Sequence, residues 1–574
     1  ACKSPVHIAL RPSTDPALAM AVANYLIKNS LIDEEFLKTK TNAACLVKKD
    51  GSFLRRSDRD PSFEPQVISS NWMTGLPLTD DTPFVFDRTT DSLVLIDEAI
   101  DAQLEGPVTF EGVRYDTAFD RYKERVGEWG LDKAAELCGI DKSQIVALAE
   151  AIHQGPSSLM VGNGAGHTYA SHTFFTATMG LSMLTGNFYK PGAGYANAGV
   201  SPVQGWSPDY TWPYMVQMAM PGPKYSPLEL PEIIGSGKYL GKDAPIKSII
   251  IHSGNPLGGD SGRAALLEAL AQVEFIVTVD MSFTDSALMS DLVLPCCHWF
   301  ETLEVGGAQY IPYALLGEQA VEPLFEHRSD YDICKAIAGA LGLGASFSES
   351  LEEVNAFLTD NSPQPDYQGK KISWERLKKE KNIRTIPEGY YDTSCACQDG
   401  LLPLYIEKPA PRLPSKPVDE ALEHLPYFEP PFEAWPDSVG GYPANALAGK
   451  YPLIYFNFHT HWMTHSTYSH IEWLKELWQE PFVEISPQDA QVRGISNRDI
   501  VRVFNDRGSV VVKAHIDGKI RPGTVSIPHG WQKDQFIEGH YQDLTSIATH
   551  PFDQNGNYWD GLCEVEPYVK GAAQ

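Results

Sequence analysis

Residues 247 to 299 read KSIIIHSGNPLGGDSGRAALLEALAQVEFIVTVDMSFTDSALMSDLVLPCCHW, and this stretch decides the fold. Its pattern predicts a strand, a glycine-rich loop, a helix, a second strand, a polar loop and a third strand. Ser248 to His252 and Phe275 to Val279 are short β-branched runs, and Gly262 to Gln272 has the apolar spacing of a helix. Strands joined in this way form a parallel pair with a right-handed crossover. The sequence therefore predicts an α/β fold with a Rossmann-like parallel sheet.

Polar loops follow the first two of these strands. In open α/β sheets ligands bind at the carboxyl ends of the strands, where these loops lie. Turn preferences alone would also explain the Gly-Asn-Pro sequence of the first loop. Two such loops after consecutive strands nevertheless favour a ligand. The candidate residues are Ser253, Gly254, Asn255, Pro256, Asp280 and Thr284.

Length and composition restrict the class of protein. At 574 residues the chain is too long for one core, because single cores stop growing near about 250 to 300 residues. The 46 basic residues are outnumbered by 74 acidic ones, and the net charge of -28 argues against nucleic acid or an anionic membrane surface as partner. No apolar run approaches the roughly 18 residues of a membrane span, and the start ACKSPVHIAL is not a signal peptide.

The 9 cysteines lack the Cys-x-x-Cys spacing of zinc and iron–sulfur sites, so we expect no metal site in this chain. Cys296 and Cys297 could form a redox pair, but free cysteine is often buried, and we favour a small apolar pair. The chain starts without Met and enters directly on a predicted strand, Val6 to Leu10. We therefore expect an N-terminal region to precede it.

Three segments resemble the large molybdopterin oxidoreductases of the dimethyl sulfoxide reductase superfamily. They are Asn255-Pro256, Val279-Asp280 with the following Thr284-Asp285-Ser286-Ala287, and Ser290-Asp291-Leu292-Val293-Leu294-Pro295. The resemblance implies a bis-molybdopterin guanine dinucleotide cofactor with molybdenum or tungsten. In that case the protein binds the cofactor and orients the substrate, while oxygen-atom or two-electron transfer takes place at the metal centre.

Two earlier loops carry the resemblance further. Arg11-Pro12-Ser13-Thr14-Asp15 is similar to the family's Arg-Pro-Gly-Thr-Asp segment, in which Thr14 and Asp15 would face guanine. The alternative is a helix cap before a helix from Pro16 to Ile27. Because Ser13 replaces the usual glycine, we expect the tight positive-φ turn to be absent. The second loop follows a predicted strand at Ser157 to Val161. The resemblance implies cofactor contacts in this loop at Gly162, Asn163, Gly164 and His167. His167 stands where many members of the family have an arginine.

The C-terminal part predicts a β-barrel of the double-psi type. Alternating strands from Phe482 onward, with an Asp506-Arg507-Gly508 turn, are typical of a small barrel and resemble the family's dinucleotide-binding domain. Clustered histidines before it would also suit zinc, but no cysteine or carboxylate completes a site there. The resemblance instead implies cofactor contacts at His459, His461, Thr464, His465, Ser466, His529, Trp531 and Asn557.

These features divide the chain into four regions. Residues 1–155 are predicted to be the remainder of a first α/β lobe, 156–345 a second α/β lobe, 346–445 a proline-rich linker or insertion, and 446–574 the barrel. Between about 196 and 245 lies a segment rich in Pro, Trp and Tyr. Its residues Trp206, Tyr210, Trp212 and Tyr214 would either hold an aromatic substrate or pack the segment onto its domain.

The family resemblance implies an anaerobic respiratory reductase. The metal-ligand loop is expected to lie before this chain, so the catalytic residues are unknown, and His298, Trp299 and Glu301 are expected to face the substrate cavity. The default substrate is an S-oxide or N-oxide. Alternatives are reductive dehydroxylation of catechol-type compounds and a non-redox hydratase or transhydroxylase reaction, and a metal-free binding module stays open. We expect an iron–sulfur partner subunit, a membrane anchor subunit, an iron–sulfur cluster in the preceding region and a periplasmic or outward-facing location.

Overall fold

The computed structural model describes residues 4, 6–70, 77–197, 225–306, 311–389, 397–413, 415–477, 480–553 and 555–569. The chain divides into two compact units. Unit 1 comprises Ala1–Ala198, Tyr391–Gly449 and Thr549–Asn555, and unit 2 comprises Gly199–Tyr390, Lys450–Ala548 and Gly556–Gln574. The predicted aromatic contacts Trp206, Tyr210, Trp212 and Tyr214 lie outside the described residues. Within the described ranges, every helix is too short or too polar to cross a bilayer.

Unit 1 is built around its first helix. Its helices are α1 (Asp15–Lys28), α2 (Glu34–Lys40), α3 (Arg56–Arg59), α4 (Ala118–Gly127), α5 (Leu131–Cys138), α6 (Lys142–His153) and α7 (His172–Leu184), with a short helix at Glu420–Glu423. Helix α1 packs against α4, α5, α6 and α7, and Pro16 to Asn24 are all buried. A helix that is apolar on all sides belongs in a core, and the predicted helix from Pro16 to Ile27 is confirmed.

The strands of unit 1 form several small sheets. They are β1 (Leu46–Val47), β2 (Val67–Ser70), β3 (Pro77–Thr79), β4 (Phe84–Asp87), β5 (Ser92–Leu95), β6 (Val108–Phe110), β7 (Val113–Thr117), β8 (Ser158–Val161) and β9 (Gly194–Asn197). Strands β8 and β9 are parallel, and helix α7 runs between them. The second predicted strand, loop and helix are therefore confirmed.

Two local predictions for unit 1 are wrong. Residues 6–10, all of which the structure describes, form no strand, and Val6 is 61% exposed. Ser13 does adopt the positive-φ turn that its side chain was expected to prevent, with φ 66°. A β-branched run needs a neighbouring strand to pair with, and the packing around α1 outweighs the modest cost of a left-handed serine.

Unit 2 contains the parallel sheet that residues 247 to 299 predict. Its first strands are β10 (Lys238–Tyr239), β11 (Lys242–Asp243), β12 (Ser248–His252), β13 (Phe275–Asp280) and β14 (Leu292–Pro295). Strand β13 lies between β12 and β14, and both pairs are parallel. The helices are α8 (Leu230–Ser236), α9 (Pro256–Gly259), α10 (Arg263–Leu270) and α11 (Asp285–Met289). Apolar residues of β12, α10 and β13 share one core.

Residues 304 to 384 add a small antiparallel sheet and three helices to unit 2. The strands are β15 (Glu304–Gly306), β16 (Tyr313–Gly317) and β17 (Asn382–Arg384), and the helices are α12 (Asp330–Ala340), α13 (Leu351–Asp360) and α14 (Trp374–Glu380). Part of the proposed linker from 346 to 445 thus carries regular structure. The domain boundaries proposed from the sequence stay predictions.

The C-terminal strands close into a barrel. They are β18 (Leu453–Phe458), β19 (Phe482–Ile485), β20 (Ile500–Phe504), β21 (Ser509–Ile516), β22 (Thr524–Pro528), β23 (Glu538–Gly539) and β24 (Gly561–Pro567), with short helices α15 (Glu472–Lys475) and α16 (Pro487–Val492). The order β19-β22-β18-β24-β20-β21 is closed by pairing of β19 with β21. Valine and isoleucine side chains from these strands fill the interior. The predicted α/β fold with a C-terminal barrel is confirmed.

Candidate functional site

The carboxyl ends of β12 and β13 carry the first predicted cofactor residues. Ser253 follows β12 with a φ of 52°, and its amide donates to the carbonyl of Val279 at 3.1 Å. Asp280 ends β13, its Oδ1 accepts the amide of Met281 at 2.7 Å, and burial raises the pKa of its carboxyl group. Because His252 is paired with Val279 in the parallel register, Ser253 and Asp280 lie at the same edge of the sheet.

Asn255 connects several loops of unit 2. Its Oδ1 accepts the amide and the hydroxyl of Ser286 at 3.1 and 2.9 Å. Its Nδ2 donates to the hydroxyl of Ser466 at 3.0 Å and to Oε1 of Gln532 at 3.2 Å. Both ends of the side-chain amide are therefore used within the protein. The side chain orders the loops, and a cofactor contact at this position would come from the backbone.

The other predicted residues of these loops have local roles. Pro256 is at the start of α9, where a missing amide hydrogen costs nothing. Thr284 precedes α11, and its Oγ1 accepts the amide of Ala287 at 3.3 Å. Gly254 is half-buried. These residues shape the turn, and their contact with a cofactor stays a prediction.

Three histidines of unit 2 converge where strands β18 and β22 end. Phe458 is paired with Pro528 in the parallel register, which brings the following residues His459 and His529 side by side. Their rings are parallel within 4°, with centroids 5.1 Å apart. His465 comes from the loop after β18, and its Nδ1 lies 3.2 Å from Nε2 of His529. We call His459, His465 and His529 the histidine cluster.

A buried tyrosine supports the histidine cluster from behind. The phenol oxygen of Tyr541 lies 3.2 Å from Nδ1 of His529, and it donates its proton to the carbonyl of Gly258 at 2.8 Å. The same oxygen accepts the amide of Gly530 at 3.3 Å. Tyr541 is 0% exposed, and its surroundings raise the pKa of its phenol well above the usual range, first through burial. The tyrosine therefore stays neutral and holds the imidazole of His529 in one orientation.

The loop that bears His465 lies directly on the β22 loop. Gly530 has a φ of 107°, and a Cβ there would collide with the carbonyl oxygen of His465. Only glycine allows this close approach of two backbones. The predicted residues His461 and Thr464 are exposed on the same loop, and neither joins the histidine cluster.

Two buried donors close to the histidine cluster in sequence have no hydrogen-bond acceptor among the described residues. They are Nε1 of Trp531 and the hydroxyl of Thr460. A buried donor without an acceptor is costly, so such groups commonly face a ligand, an ion or a water molecule. Asn557, also predicted to bind the cofactor, instead donates to the carbonyl of Ala548 and is 2% exposed. Trp531 and Thr460 therefore fit a ligand at these loops, and Asn557 supports the fold around them.

The loop from Arg11 to Asp15, which was predicted to face guanine, lies in unit 1. The hydroxyl of Thr14 donates to the carbonyl of Arg11 at 2.7 Å, and Thr14 gives α1 no side-chain cap. Asp15 is the first residue of α1, and burial raises the pKa of its carboxyl group. The hydroxyl of Ser13 is buried without a partner among the described residues. Of the two predicted contacts, Asp15 is the better candidate, because the side chain of Thr14 is used by its own turn.

The glycine-rich loop of unit 1 precedes helix α7. Residues Asn163–His167 form one short 3-10 turn between β8 and α7. Gly162 is exposed, and a Cβ built on it would meet no atom within 4 Å. Gly164 and His167 are half-buried. An open backbone at this position suits a phosphate, and the cofactor contact of this loop stays a prediction.

A buried ionic network follows this loop, and nothing in the local sequence pattern indicated it. Nε2 of His172 lies 2.8 Å from Glu423 and its Nδ1 lies 3.5 Å from Asp553. Burial alone would lower the pKa of His172, but hydrogen bonds to Asp553 and Glu423 outweigh it and raise the pKa to about 9. Burial, and then the charge of His172, lower the pKa of His550 to about 4. The network joins residues 172, 423 and 553, which lie far apart in sequence.

The predicted substrate residues follow strand β14. The rings of His298 and Trp299 lie 3.8 Å apart, and Trp299 is 45% exposed. Glu301 was expected to face the same cavity, but it is 4% exposed and accepts the amides of His298 and Leu324 at 2.9 Å each. Its role is structural, because both carboxylate oxygens are used to fold this loop. The substrate role of His298 and Trp299 stays a prediction.

Cys296 and Cys297 precede this loop. They are 5% and 8% exposed, and burial raises the pKa of both thiols, to about 12 for Cys296. A thiol that stays protonated is a poor nucleophile and a poor metal ligand. The interpretation of the pair as buried small side chains is confirmed.

Comparison with known proteins identifies relatives over nearly the whole chain. Residues 2–340 match the family model "Molybdopterin oxidoreductase", and residues 453–561 match "Molydopterin dinucleotide binding domain". The chain is 27% identical to a protein of Halobacterium salinarum named as a dimethyl sulfoxide reductase catalytic chain, over 98% of its length and 64% of that protein. It is 26% identical to the alpha chain of perchlorate reductase of Dechloromonas aromatica, over 98% of this chain and 69% of that one.

Two further relatives extend the comparison. The chain is 23% identical to dimethyl sulfoxide reductase DmsA of Escherichia coli, over 97% of this chain and 65% of that protein. In structure it is similar to acetylene hydratase from Pelobacter acetylenicus, with a TM-score of 0.65, 20% identity, and coverage of 97% of this chain and 71% of that one. At this identity the likeness concerns the fold alone. The chain thus spans about two thirds of the length of its curated relatives.

Proposed function

Because the chain belongs to the molybdopterin oxidoreductase family, whose model matches residues 2–340, we propose that it is the main part of a catalytic subunit that reduces an S-oxide or N-oxide. The resemblance to large subunits of the dimethyl sulfoxide reductase superfamily is confirmed by the same matches and by the relative DmsA. The proposed cofactor is a bis-molybdopterin guanine dinucleotide with molybdenum or tungsten.

One observation carries the proposal: in unit 2, loops from the parallel sheet and from the barrel meet through the hydrogen bonds of Asn255. This contact joins the loop after β12 to the loops that carry Ser466 and Gln532, beside the histidine cluster. The loops present backbone amides, imidazole rings and the donors of Trp531 and Thr460 that have no acceptor among the described residues. The net charge of -28 gives the protein no long-range attraction for an anionic dinucleotide, so local hydrogen-bond donors have to bind its phosphates. The donors of these loops fit that requirement.

We assign the following tasks to the chain's own residues. Asp280 would accept hydrogen bonds from guanine or ribose at the sheet edge, and Asp15 would do the same in unit 1. The backbones of Ser253 and of Gly162 to His167 would hold phosphate oxygens. His465 and His529 would hold the pterin side of a second dinucleotide. When bound, the cofactor supplies the oxygen-atom and electron transfer, which the side chains named above do not provide.

The substrate assignment is supported by the names of the relatives. DmsA is named a dimethyl sulfoxide reductase, and the Dechloromonas relative is named a perchlorate reductase, so both are reductases of oxygen-bearing compounds. Dehydroxylation of catechol-type compounds stays the alternative, and the likeness to acetylene hydratase does not favour hydration because it shows the fold alone.

A substrate assay tests this assignment. The full-length gene product, purified from cells that make the cofactor, would be given a chemically reduced dye and then an S-oxide, an N-oxide or a catechol in turn. We expect the dye to be oxidised with S-oxides or N-oxides and unchanged with catechols. Turnover of catechols alone, or conversion of acetylene without any electron donor, would contradict the proposed reaction.

The cellular setting is also a proposal. The Halobacterium and Dechloromonas relatives are both named as single subunits of larger enzymes, which supports an assembly with other chains. As partners we propose an iron–sulfur electron-transfer subunit with a membrane anchor subunit, in anaerobic respiration on the periplasmic or outward side of the membrane. Co-purification from the native host, followed by iron analysis, tests the first of these partners.

A further inference from the structure

The geometry of the histidine cluster points to a second use, and we propose that His459, His465 and His529 form a binding site for a first-row divalent metal ion of the zinc type. One ligand nitrogen from each of the three side chains lies within 4.8 Å of the other two. Tetrahedral zinc, with Zn–N distances of about 2.0–2.1 Å, places its ligand nitrogens about 3.4 Å apart. Nδ1 of His465 and Nε2 of His529 are already 3.2 Å apart.

The protonation of His529 supports this assignment. The single proton of the Tyr541 hydroxyl is donated to the carbonyl of Gly258, so toward His529 the phenol oxygen can only accept. Nδ1 of His529 therefore donates its hydrogen to the phenol oxygen, and Nε2 is the ring nitrogen that faces His465 at 3.2 Å. A metal-binding histidine typically donates its other N–H to an oxygen in this way, which fixes the tautomer and the ring. The arrangement is thus prepared for a metal before any metal arrives.

The two other histidines can complete the site with small movements. His459 and His465 are exposed, whereas His529 is 7% exposed and fixed by Tyr541. Three imidazoles with an open fourth position are a common environment for zinc, and imidazole also suits copper and nickel. The sequence alone did not indicate this set, because its third member is 64 residues from His465.

The described residues contain a second cluster of side chains that could bind a metal, but its nitrogens and oxygens are already used in hydrogen bonds and ion pairs within the protein. It consists of His172, Glu423 and His550 in unit 1. Nδ1 of His550 accepts the amide of Phe552 at 3.3 Å, so this nitrogen is already used within the protein. His172 has carboxylates at both ring nitrogens and is therefore an imidazolium ion. The carboxylates at both ring nitrogens of His172 make this group an ionic network, whereas the three members of the histidine cluster are all imidazoles.

The proposed metal site does not rest on the proposed function. It uses histidines that are also assigned to the cofactor, and a nitrogen that binds a metal cannot donate a hydrogen bond to the cofactor. Zinc and the pterin dinucleotide should therefore exclude each other at these loops. For this reason zinc binding is measured on full-length protein from cells that cannot make the pterin cofactor. The zinc result then does not depend on whether the protein binds molybdenum and guanine nucleotide in other cells.

The experiment is zinc titration by calorimetry after treatment with a chelator, with cobalt(II) absorption as a second readout. We expect one zinc per chain and the visible bands of a tetrahedral cobalt site. His465→Ala and His459→Ala should each weaken this binding at least about tenfold, and Tyr541→Phe should weaken it about 10–100-fold because it removes the oxygen that orients His529. His470→Ala, an exposed histidine on the same loop, is the matched control and should bind like the wild type.

Two outcomes would overturn the assignment. One is a wild-type protein without stoichiometric zinc binding. The other is a double variant, His459→Ala with His465→Ala, that binds zinc as tightly as the wild type, which would place the ion elsewhere among the protein's histidines and cysteines. Both substituted side chains are exposed, so loss of folding is not expected to obscure the result. Circular dichroism of each variant checks this directly.

Discussion

Nδ1 of His529 and the phenol oxygen of Tyr541 lie 3.2 Å apart, and the same phenol donates to the carbonyl of Gly258 at 2.8 Å. One hydroxyl therefore connects the barrel loop after β22 with the α9 turn of the α/β part of unit 2. Because Asn255 connects the same two parts through Ser466 and Gln532, the candidate site is assembled by a few buried polar contacts.

Removing that hydroxyl should destabilise unit 2. Tyr541→Phe keeps the ring in the barrel core but removes the hydrogen bonds that the hydroxyl makes to the buried Gly258 carbonyl and to His529. A buried group left unsatisfied costs about 1–3 kcal/mol, so we expect a loss of that size in the free energy of unfolding, measured with urea. Tyr225→Phe, at a side chain that is 37% exposed, is the control and should change little. Equal stability of Tyr541→Phe and wild type would contradict this role.

A methyl group at Gly530 should force two backbones apart. Its φ of 107° and the close carbonyl of His465 both oppose a side chain. Gly523 is the matched control, since it has a φ of 83° but no atom within 4 Å of a Cβ. We expect Gly523→Ala to cost about 1 kcal/mol for the left-handed conformation alone, and Gly530→Ala to cost clearly more. Chemical denaturation of both variants measures the difference, and similar losses would remove the argument for close approach.

Asp280 should retain the guanine nucleotide. A hydrogen bond to a charged group contributes about 1.5–3 kcal/mol, so Asp280→Ala should weaken nucleotide retention by roughly 10–100-fold. The measurement is guanine nucleotide released from purified protein by acid, relative to protein. Asp243→Ala, at an exposed residue of β11, is the control. Full occupancy in the Asp280 variant would contradict the assignment of this carboxylate.

The ionic network of His172 should make stability depend on pH. The folded pKa of about 9 lies above the unfolded value of about 6.5, so its contribution is complete below about pH 6.5 and is lost as the pH rises toward 9. His550 acts in the opposite sense, because its folded pKa of about 4 makes the protein less stable as the pH falls from 6.5 toward 4. His172→Gln should flatten the alkaline decline in the unfolding temperature.

The control for this prediction is His153→Gln, at an exposed histidine that ends helix α6 in the same unit. It should leave the pH profile unchanged. An alkaline decline of equal steepness in wild type and His172→Gln would mean that the network does not contribute through an imidazolium ion.

Several elements were predictable from the sequence because their pattern is local. The run from Ser248 to His252 and that from Phe275 to Val279 are both strands of a parallel sheet, and the apolar spacing after Pro16 is a helix. The Asp506-Arg507-Gly508 turn joins β20 and β21 as expected. In each case the period and the turn residues within about ten positions determine the element.

The errors arise where distant contacts decide. The conformations of Ser13 and of the segment that begins at Val6 depend on neighbours that no local pattern contains. Glu301 looks like a cavity residue in sequence, but the amides of His298 and Leu324 fold around it. The histidine cluster depends on the parallel register of β18 and β22. Two strands that each end just before a histidine were the available signal.

The measurement that tests the central claim most directly is combined metal and nucleotide analysis of the full-length protein from cofactor-competent cells. Molybdenum and tungsten would be quantified by elemental mass spectrometry, and GMP after acid hydrolysis. We predict about two GMP per metal ion, as the bis form of a guanine dinucleotide cofactor requires. Protein without metal and without GMP would contradict the account, and the reductase assignment would then have to be abandoned.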